Sequence, residues 1–507
     1  MTATRPRAPA AVASRWLSAP HPTVLLALVS VLYGVAQLVV VPPRMGIGWD
    51  EAIYASQYAS HAPPAPFSAP RARGVPLLVA PVVAMTDSVF ALRLYLTAVS
   101  SLSLFGAFLV WVRVRADRSV PLGALLFGGC WLSLFYGNEA MPNLYVALGG
   151  VAATGLVVLA VRSRPAAGLT VGRSAHAVIG PAEPVTRSWR VPAGLAGSLA
   201  AVSLMRPSDA LFLSLPLACA ALVVLGRRAL VPLAAIAVGL AVGWGQWLVE
   251  AELSYGGIAA RLREAGKANM TGLTVSLVEH ARALDGPSLC RFGVKCGDVS
   301  PVALAWALVI PAMTLLGLWS ARRAHRLRPV LLATITGVTI ALPYLFYVGY
   351  AAPRFLMPAY ALLSLPVAEA VTGLRPRGRW WVPVTVLLTV GVLAHLALQG
   401  TYAHRIAART LRDRARMGLA VEELRRLGVR PPCVIYGQAG VQMGYLLGCD
   451  ALAIAQRFPD RLPDGIRQAM QRGTRLVMVH TSAPLPPYAR AWKQTDLPGP
   501  WKARFVP

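Results

Sequence analysis

Residues 22–54 read PTVLLALVSVLYGVAQLVVVPPRMGIGWDEAIY. The first part of this segment, residues 22–41, is predominantly apolar and carries no charge. A helix of about 20 such residues crosses the roughly 30 Å hydrocarbon core of a bilayer. Two adjacent acids, Asp50 and Glu51, follow shortly after the apolar run. We therefore expect a membrane-spanning helix with an acidic motif beyond one of its ends.

The composition of the whole chain agrees with this pattern. Of 507 residues, 56% are hydrophobic and 14% are charged, whereas soluble proteins carry about 25% charged residues. Such a composition excludes an ordinary cytosolic enzyme and a disordered chain. Together with residues 22–41, the apolar runs predict eleven spanning helices, the others lying near residues 88–112, 119–137, 143–161, 191–205, 210–226, 229–249, 301–320, 329–350, 355–373 and 380–398.

Basic residues predict the orientation of these helices. The formal charge is +28, from 49 basic and 21 acidic residues. With the N-terminus inside, arginines cluster in the inner connections, where acids are few, as the positive-inside rule describes. The positive charge then indicates topology and contact with anionic lipid, and no nucleic-acid partner is expected. Eleven spans would place the C-terminus outside a bacterial cytoplasmic membrane.

The predicted organisation has three parts: a cytoplasmic tail (1–20), a transmembrane domain (21–400) and an extracytoplasmic α/β domain (401–507). Long outer loops at 42–87 and 250–300 are expected to carry function. In the last part, the apolar segments 433–437 and 475–480 predict buried strands, with a helix between them. The fold class is thus a polytopic α-helical membrane protein with a small outer α/β domain.

Two cysteine pairs lie in predicted outer segments: Cys290 with Cys296, and Cys433 with Cys449. An oxidising compartment favours two local disulfides, although four free thiols remain the alternative. Zinc is less favoured because no histidines stand at ligand spacing beside either pair.

The motif around Asp50 is the strongest candidate for chemistry. In a helix, Asp50 and Tyr54 share one face, because they are four residues apart. A carboxylate beside an apolar wall can act as a general base, and Glu51 is a second candidate for a catalytic role. The alternative is that both acids only stabilise a helix N-terminus. Asp50 and Glu51 could also bind a divalent cation, so metal dependence stays open.

Further ionisable residues fall at the predicted outer ends of the spans. Each one alone is explained by an interfacial ion pair or by snorkelling. Together they predict an outer polar cavity in which acids face an acceptor hydroxyl and arginines bind a phosphate. The candidate substrate-binding residues besides Tyr54 are Arg93, Glu139, Arg206, Asp209 and Arg354.

At these residues the chain resembles the glycosyltransferase C superfamily, in the branch of protein O-mannosyltransferases and lipid A aminoarabinose transferases. The resemblance covers roughly residues 20–400. It rests on WDEAIY after the first span, Arg93 at the start of the second, NEAMPN between the third and fourth, RPSD after the fifth and PRFLMPAY opening the tenth.

The resemblance implies a transfer reaction at the outer face of the membrane. A polyprenyl-phosphate sugar would be the donor and an unidentified hydroxyl compound the acceptor. Asp50 would be the general base of an inverting displacement, and Glu51 or Glu139 would bind hydroxyls. Arg354, followed by Arg206 and Arg93, would bind the donor phosphate.

Neither the sugar, hexose or pentose, nor the acceptor follows from the sequence. The chain shows no inserted outer sugar-binding domain, which leaves a protein acceptor in doubt. The alternative function is a flippase or transporter of a lipid-linked cell-envelope precursor. That function predicts charged residues near mid-span, whereas here they lie at the ends of the spans.

Overall fold

The computed structural model describes residues 20–162, 189–284, 290–291, 296–374, 378–454, 458–481 and 483–506. Residues 1–19 of the predicted cytoplasmic tail lie outside this part of the chain.

Helices dominate the transmembrane part, because lipid leaves backbone polar groups no partners except within a helix. The helices up to residue 269 are α1 (Pro22–Val40), α2 (Trp49–Ser56), α3 (Gly74–Val83), α4 (Val89–Val114), α5 (Ser119–Gly128), α6 (Trp131–Tyr136), α7 (Pro142–Arg162), α8 (Arg190–Met205), α9 (Pro207–Leu225), α10 (Leu230–Tyr255) and α11 (Ile258–Asn269). Those that follow are α12 (Leu277–Ala283), α13 (Pro301–Arg323), α14 (Leu327–Phe346), α15 (Met357–Gly373), α16 (Trp381–Arg426), α17 (Gly440–Leu447) and α18 (Asp464–Gln471).

Each of the eleven predicted spans is helical in the structure. Within the described ranges, eight stretches are long and apolar enough to cross a membrane. One of them, Pro207–Tyr255, contains both α9 and α10, which meet at Gly226 with a φ of +56°. The other two predicted spans correspond to α8, with 16 residues, and to the pair α5 and α6. The chain is therefore a multi-pass α-helical membrane protein.

The sequence predicts one continuous helix over residues 119–137, but the third span is interrupted in the structure. It breaks between α5 and α6, at Gly129 and Cys130. Glycine weakens a helix, and here α16 passes so close that a Cβ on Gly129 would lie 2.3 Å from Leu396 Cδ2. The break therefore lies at the point where α16 packs closely against the third span.

Small residues also allow the central helix α15 to pack closely against its neighbours. A Cβ on Gly317 of α13 would lie 1.9 Å from the Pro366 carbonyl oxygen in α15. Association in lipid depends on such close backbone approach, because burial of apolar surface drives it little there. The resulting helical core is continuous and includes two side chains of α17, Val441 and Tyr445.

The last span continues into the C-terminal part as one helix. α16 has 46 residues, about 70 Å at roughly 1.5 Å per residue, which is far more than a bilayer needs. It crosses residue 400, the predicted domain boundary, without a break.

The described strands of the C-terminal part form a five-stranded sheet in the order β4-β3-β5-β7-β6. Here β3 (Cys433–Gly437), β4 (Asp450–Ala453) and β5 (Arg475–His480) are parallel, whereas β6 (Lys493–Asp496) and β7 (Lys502–Phe505) add antiparallel strands. In the register, Ile435 of β3 lies between Ala451 and Val477. The two predicted strands and the helix between them, α17, are confirmed; β4, β6 and β7 were not predicted.

Both predicted cysteine pairs form disulfides. Cys433–Cys449 joins β3 to the residue before β4, with 4.9 Å between the Cα atoms. Cys290–Cys296 lies beside a two-stranded pairing of β1 (Cys290–Arg291) and β2 (Tyr350–Ala351). The disulfide closes a short loop after α12, and the pairing of β1 with β2 ties that loop to the segment that precedes α15.

Candidate active site

Asp50 lies in the first turn of α2, which begins directly after Gly48. Its Oδ1 accepts a hydrogen bond from Arg71 Nη2 at 2.6 Å, and its Oδ2 accepts one from Arg354 Nη2 at 3.2 Å. Arg354 lies in the short turn Pro353–Leu356 that leads into α15. Residues separated by 304 positions in the chain are therefore in direct contact.

These residues line a polar cavity of about 170 Å³. Four of the predicted site residues are among its walls: Asp50, Tyr54, Arg206 and Arg354. Asp50 and Tyr54 both face the cavity, as their spacing on one helix predicts. The walls also include residues that the sequence analysis did not single out, namely Ser68, Arg71, Asn143, Asn269 and Tyr350.

Arg206 enters the cavity from the junction of α8 and α9. Asp209 lies behind it, with 3.4 Å between Arg206 Nε and Asp209 Oδ2. The Tyr344 hydroxyl donates to Asp209 Oδ1 at 2.5 Å, and the guanidinium of Arg206 stands 5.2 Å from the Tyr344 ring centroid. Asp209 therefore orients Arg206 and is not itself part of the cavity wall.

The arginines determine the charge state of Asp50. Burial alone raises the pKa of this carboxyl, but Arg71 and Arg354 outweigh burial and hold the pKa below its ordinary value. Asp50 is consequently ionised at neutral pH, the state in which a carboxylate accepts a proton.

Glu51 points away from the cavity into the protein. Its side chain is 1% exposed and is held by both terminal nitrogens of Arg93, at 2.7 Å for the pair Nη2–Oε2. The backbone N–H groups of Gly48 and Ala140 each donate to it at 2.8 Å. This carboxylate has no lone pair directed at the cavity, so the predicted catalytic role does not fit its position.

Arg93 is likewise a structural cation. Its side chain is completely buried, and besides Glu51 it donates to the carbonyl oxygens of Met45, Gly46 and Asn138. The prediction that Arg93 binds a phosphate does not fit this placement. The Arg93–Glu51 pair instead fixes the first turn of α2 against the loops on either side of it.

Glu139 belongs to the same buried cluster and pairs with a residue that sequence reasoning missed. Arg414 of α16 donates to Glu139 Oε1 at 2.6 Å, to Glu51 Oε2 at 3.2 Å and to the Gly46 carbonyl at 2.8 Å. A Cβ on Gly48 would lie 2.8 Å from Arg414 Nη2, so a larger residue there would displace the guanidinium from this contact. Glu139 therefore does not reach the cavity, and a cation of the C-terminal part supports the acidic motif.

Arg71 was also missed, although the sequence carried a signal. Arg71 and Arg73 are the two charged residues of the proline-rich segment 57–86. Arg261, whose side chain is completely buried, holds this loop by donating to the carbonyl oxygens of Ala69 and Arg71 and to Glu250. The guanidinium of Arg261 stacks 4.2 Å from the Trp247 ring centroid. The loop is thus fixed with Arg71 aimed at Asp50.

A divalent cation does not fit this donor set. Both oxygens of Asp50 face arginines, and Glu51 is committed to Arg93 and backbone N–H groups. In the part of the chain that the structure describes, no three His, Cys, Asp or Glu side chains cluster closely enough to hold a metal ion.

The overall architecture matches solved membrane enzymes. ArnT from Cupriavidus metallidurans bound to undecaprenyl phosphate superposes with a TM-score of 0.63 and 13% identity, over 95% of this chain and 98% of that one. The chain therefore shares its fold with ArnT. The apo state of the same ArnT gives a TM-score of 0.59 at 14% identity, over 95% and 97% of the two chains.

A second enzyme shares the fold more distantly. The archaeal oligosaccharyltransferase AglB from Archaeoglobus fulgidus, in complex with an inhibitory peptide and a dolichol-phosphate, gives a TM-score of 0.50 and 12% identity. The match covers 89% of this chain and 69% of AglB. No family model and no curated protein matches the sequence. The resemblance read from five short motifs is therefore confirmed at the level of the fold.

Proposed function

We propose that this chain is a membrane glycosyltransferase that moves a sugar from a polyprenyl-phosphate donor to an acceptor hydroxyl. The observation that carries the proposal is the Asp50–Arg354 contact of 3.2 Å inside a polar cavity rich in arginine. This cavity occurs in a fold shared with ArnT, which was solved with undecaprenyl phosphate, over 95% of the chain.

In the proposed reaction, Asp50 takes the proton of the acceptor hydroxyl while the oxygen attacks the anomeric carbon of the sugar. The bond between that carbon and the phosphate oxygen breaks, and its electron pair stays on the polyprenyl phosphate. One displacement inverts the anomeric centre. The lowered pKa of Asp50 keeps the base ionised at the start of each cycle.

Arg354 would bind the phosphate that leaves. A guanidinium has five N–H donors, and Nη2 is the nitrogen of Arg354 that contacts Asp50, so further donors stay available for phosphate oxygens. Arg206 and Arg71 line the same cavity and add positive charge. Fixed cations of this kind stabilise the negative charge that develops on the leaving group.

The size of the cavity favours transfer of a single sugar unit, a hexosyl or a pentosyl group. Its volume is about 170 Å³, whereas pockets for drug-sized ligands occupy roughly 300–1,000 Å³.

We further propose that the site faces the outside of a bacterial cytoplasmic membrane. Arginines gather in the connections at the opposite ends of the spans, as the positive-inside rule describes for a cytoplasmic side. The disulfides Cys290–Cys296 and Cys433–Cys449 suit an oxidising compartment. Residues 401–507 would then form an extracytoplasmic domain.

Membranes that contain the chain test the activity directly. They are incubated with polyprenyl phosphate that carries radiolabelled mannose or arabinose, and label in the product is followed. Asp50→Asn should abolish transfer, whereas Asp464→Asn, a change at a side chain that is 85% exposed, should leave transfer unchanged.

Near-normal transfer by Asp50→Asn would refute the proposed mechanism. Movement of the labelled lipid across the bilayer without any labelled product would instead support the flippase alternative.

A further inference from the structure

One buried polar side chain in the cavity wall has no hydrogen-bond partner among the residues that the structure describes. Asn143, near the start of α7, is 1% exposed and lines the cavity together with Asp50. In the described part of the chain, neither its Oδ1 nor its Nδ2 forms a hydrogen bond. A buried amide without partners is costly, and such groups occur where a ligand satisfies them.

The chemistry of an amide indicates which ligand groups would satisfy it. Nδ2 donates and Oδ1 accepts, and neither carries a formal charge. A hydroxyl group also donates and accepts, so neighbouring hydroxyls of a sugar ring match both ends of the amide. Asn143 therefore suits a polyhydroxylated ligand.

The charges around the cavity favour a ligand without positive charge. Three arginines line the cavity, namely Arg71, Arg206 and Arg354, against the single carboxylate of Asp50. The acids nearby in the fold are already paired: Glu51 with Arg93, Glu139 with Arg414 and Asp209 with Arg206. An ammonium group on the sugar would meet cations without a free carboxylate to balance it.

We propose that Asn143 binds ring hydroxyls of the transferred sugar and that the site selects a neutral sugar over an amino sugar. This inference rests on the proposed glycosyl transfer and adds the substrate class to it. Asn143 is assigned to the sugar because its buried amide lines the same cavity as the arginines that would bind the donor phosphate. The sugar is attached to that phosphate and would therefore lie close to Asn143.

The test uses membranes containing the full chain and two donors with the same polyprenyl phosphate, one carrying a neutral pentose and the other its 4-amino-4-deoxy counterpart. The neutral donor should be used at least about tenfold better, as expected when a charged group lacks a partner. Asn143→Ala should lower kcat/KM for the neutral donor about tenfold or more, with KM for the acceptor unchanged. Gln494→Ala, at an exposed position of β6, should change neither value.

Asn143→Asp tests the selectivity independently of any loss of folding. The added carboxylate should shift preference toward the amino sugar, so that the ratio of neutral to amino-sugar use falls about tenfold or more. The amount of each variant in the membrane is measured alongside.

Two results would overturn the inference. One is equal or better use of the amino sugar by the unaltered chain. The other is an Asn143→Ala variant that changes only the KM for the acceptor. If either result appears while Asp50→Asn still abolishes transfer, the proposed function stands and this inference fails. If Asp50→Asn leaves transfer intact, the proposed function itself fails.

Discussion

For single residues, the main finding is that two neighbouring carboxylates of α2 lie in different surroundings. Asp50 meets the cavity and two arginines, whereas Glu51, the next residue, is buried against Arg93. Successive residues of a helix point about 100° apart, so adjacent acids in α2 necessarily face different surroundings. Asp50 is the better candidate for the proposed base, because it lies on the side of α2 that faces the cavity.

The pairing of Asp50 with Arg71 predicts a pH effect. The pKa of Asp50 lies below its ordinary value, because Arg71 and Arg354 outweigh the effect of burial. Transfer should therefore persist at mildly acidic pH and fall only below the ordinary pKa range of an aspartate side chain. Arg71→Gln removes a cation that favours the carboxylate, so the acid limb of the kcat/KM profile should move to higher pH.

The control for this profile is Arg263→Gln, because Arg263 is exposed on α11 and is not part of the cavity wall. Superimposable acid limbs for Arg71→Gln and the unaltered chain would show that Asp50 is not the titrating base.

The buried pair Glu51 and Glu139 predicts unequal effects of matched substitutions. Burial raises the pKa of both, but Arg93 outweighs burial at Glu51 and holds its pKa below the ordinary value, whereas the pKa of Glu139 stays raised. Glu51→Gln leaves Arg93 buried without a counter-charge and should cost about 3 kcal/mol or more of stability. Glu139→Gln should cost less, about 1 kcal/mol, because Arg414 keeps its contact with Glu51 and the amide oxygen still accepts a hydrogen bond. Thermal unfolding in detergent measures both, and equal losses would contradict the assignment.

At the scale of elements, α16 connects the membrane part to the C-terminal part without a hinge. It carries Arg414 to the acidic motif, and α17 packs against the same region, where the rings of Tyr445 and His61 lie 4.6 Å apart. The C-terminal part thereby supports α2 from the side opposite to the cavity. The position of the C-terminal part relative to the site is therefore set by the continuous helix α16 and by the hydrophobic core that α17 shares with the membrane helices.

We expect Arg414 to act as a positioning residue, because it touches Glu51 and Glu139 and does not line the cavity. Arg414→Met should lower kcat about tenfold or more while the donor KM changes little. Arg414→Lys should restore part of the loss, since an ammonium replaces the charge but not the forked geometry.

The matched control is Arg416→Met, two residues further along α16, where the side chain is 60% exposed. If Arg414→Met behaves like this control, the C-terminal part does not position the site.

At the scale of the whole molecule, the helices bring the ends of distant segments to one cavity. Asp50 follows α1, Asn143 begins α7, Arg206 joins α8 to α9, and Arg354 precedes α15. Their convergence at one end of the bundle agrees with the alternation of spans that was predicted from the sequence.

The predicted topology can be tested by labelling. Gln471→Cys and Arg322→Cys both place a thiol at an exposed position. In a background without the two free cysteines, Cys130 and Cys219, a membrane-impermeant reagent should label the first variant in intact cells and the second only after lysis. Labelling of both variants in intact cells, or of neither, would refute the predicted orientation.

The amino-acid sequence alone determined the helical spans, the acidic motif, the disulfide partners and two strands of the sheet. These are local properties. A long apolar run in lipid forms a helix because its backbone groups must bond to one another, and two cysteines close in sequence can form a disulfide with few further constraints. Asp50, Tyr54, Arg206 and Arg354, which line the cavity, could be selected as candidates because they lie at or shortly beyond the ends of recognisable spans.

Only the tertiary structure separated the residues of the cavity from those that support it. Arg93, Glu51, Glu139 and Asp209 look like site residues in the sequence but are buried in ion pairs. Arg71, Asn143 and Arg414 were not selected, although Arg71 is one of two charged residues in a proline-rich segment and Asn143 ends the motif NEAMPN. Their roles depend on contacts with distant segments, such as the 275 positions between Arg414 and Glu139. Whether a charge faces a substrate or a counter-ion depends on how helices pack, and packing is a property of the whole chain.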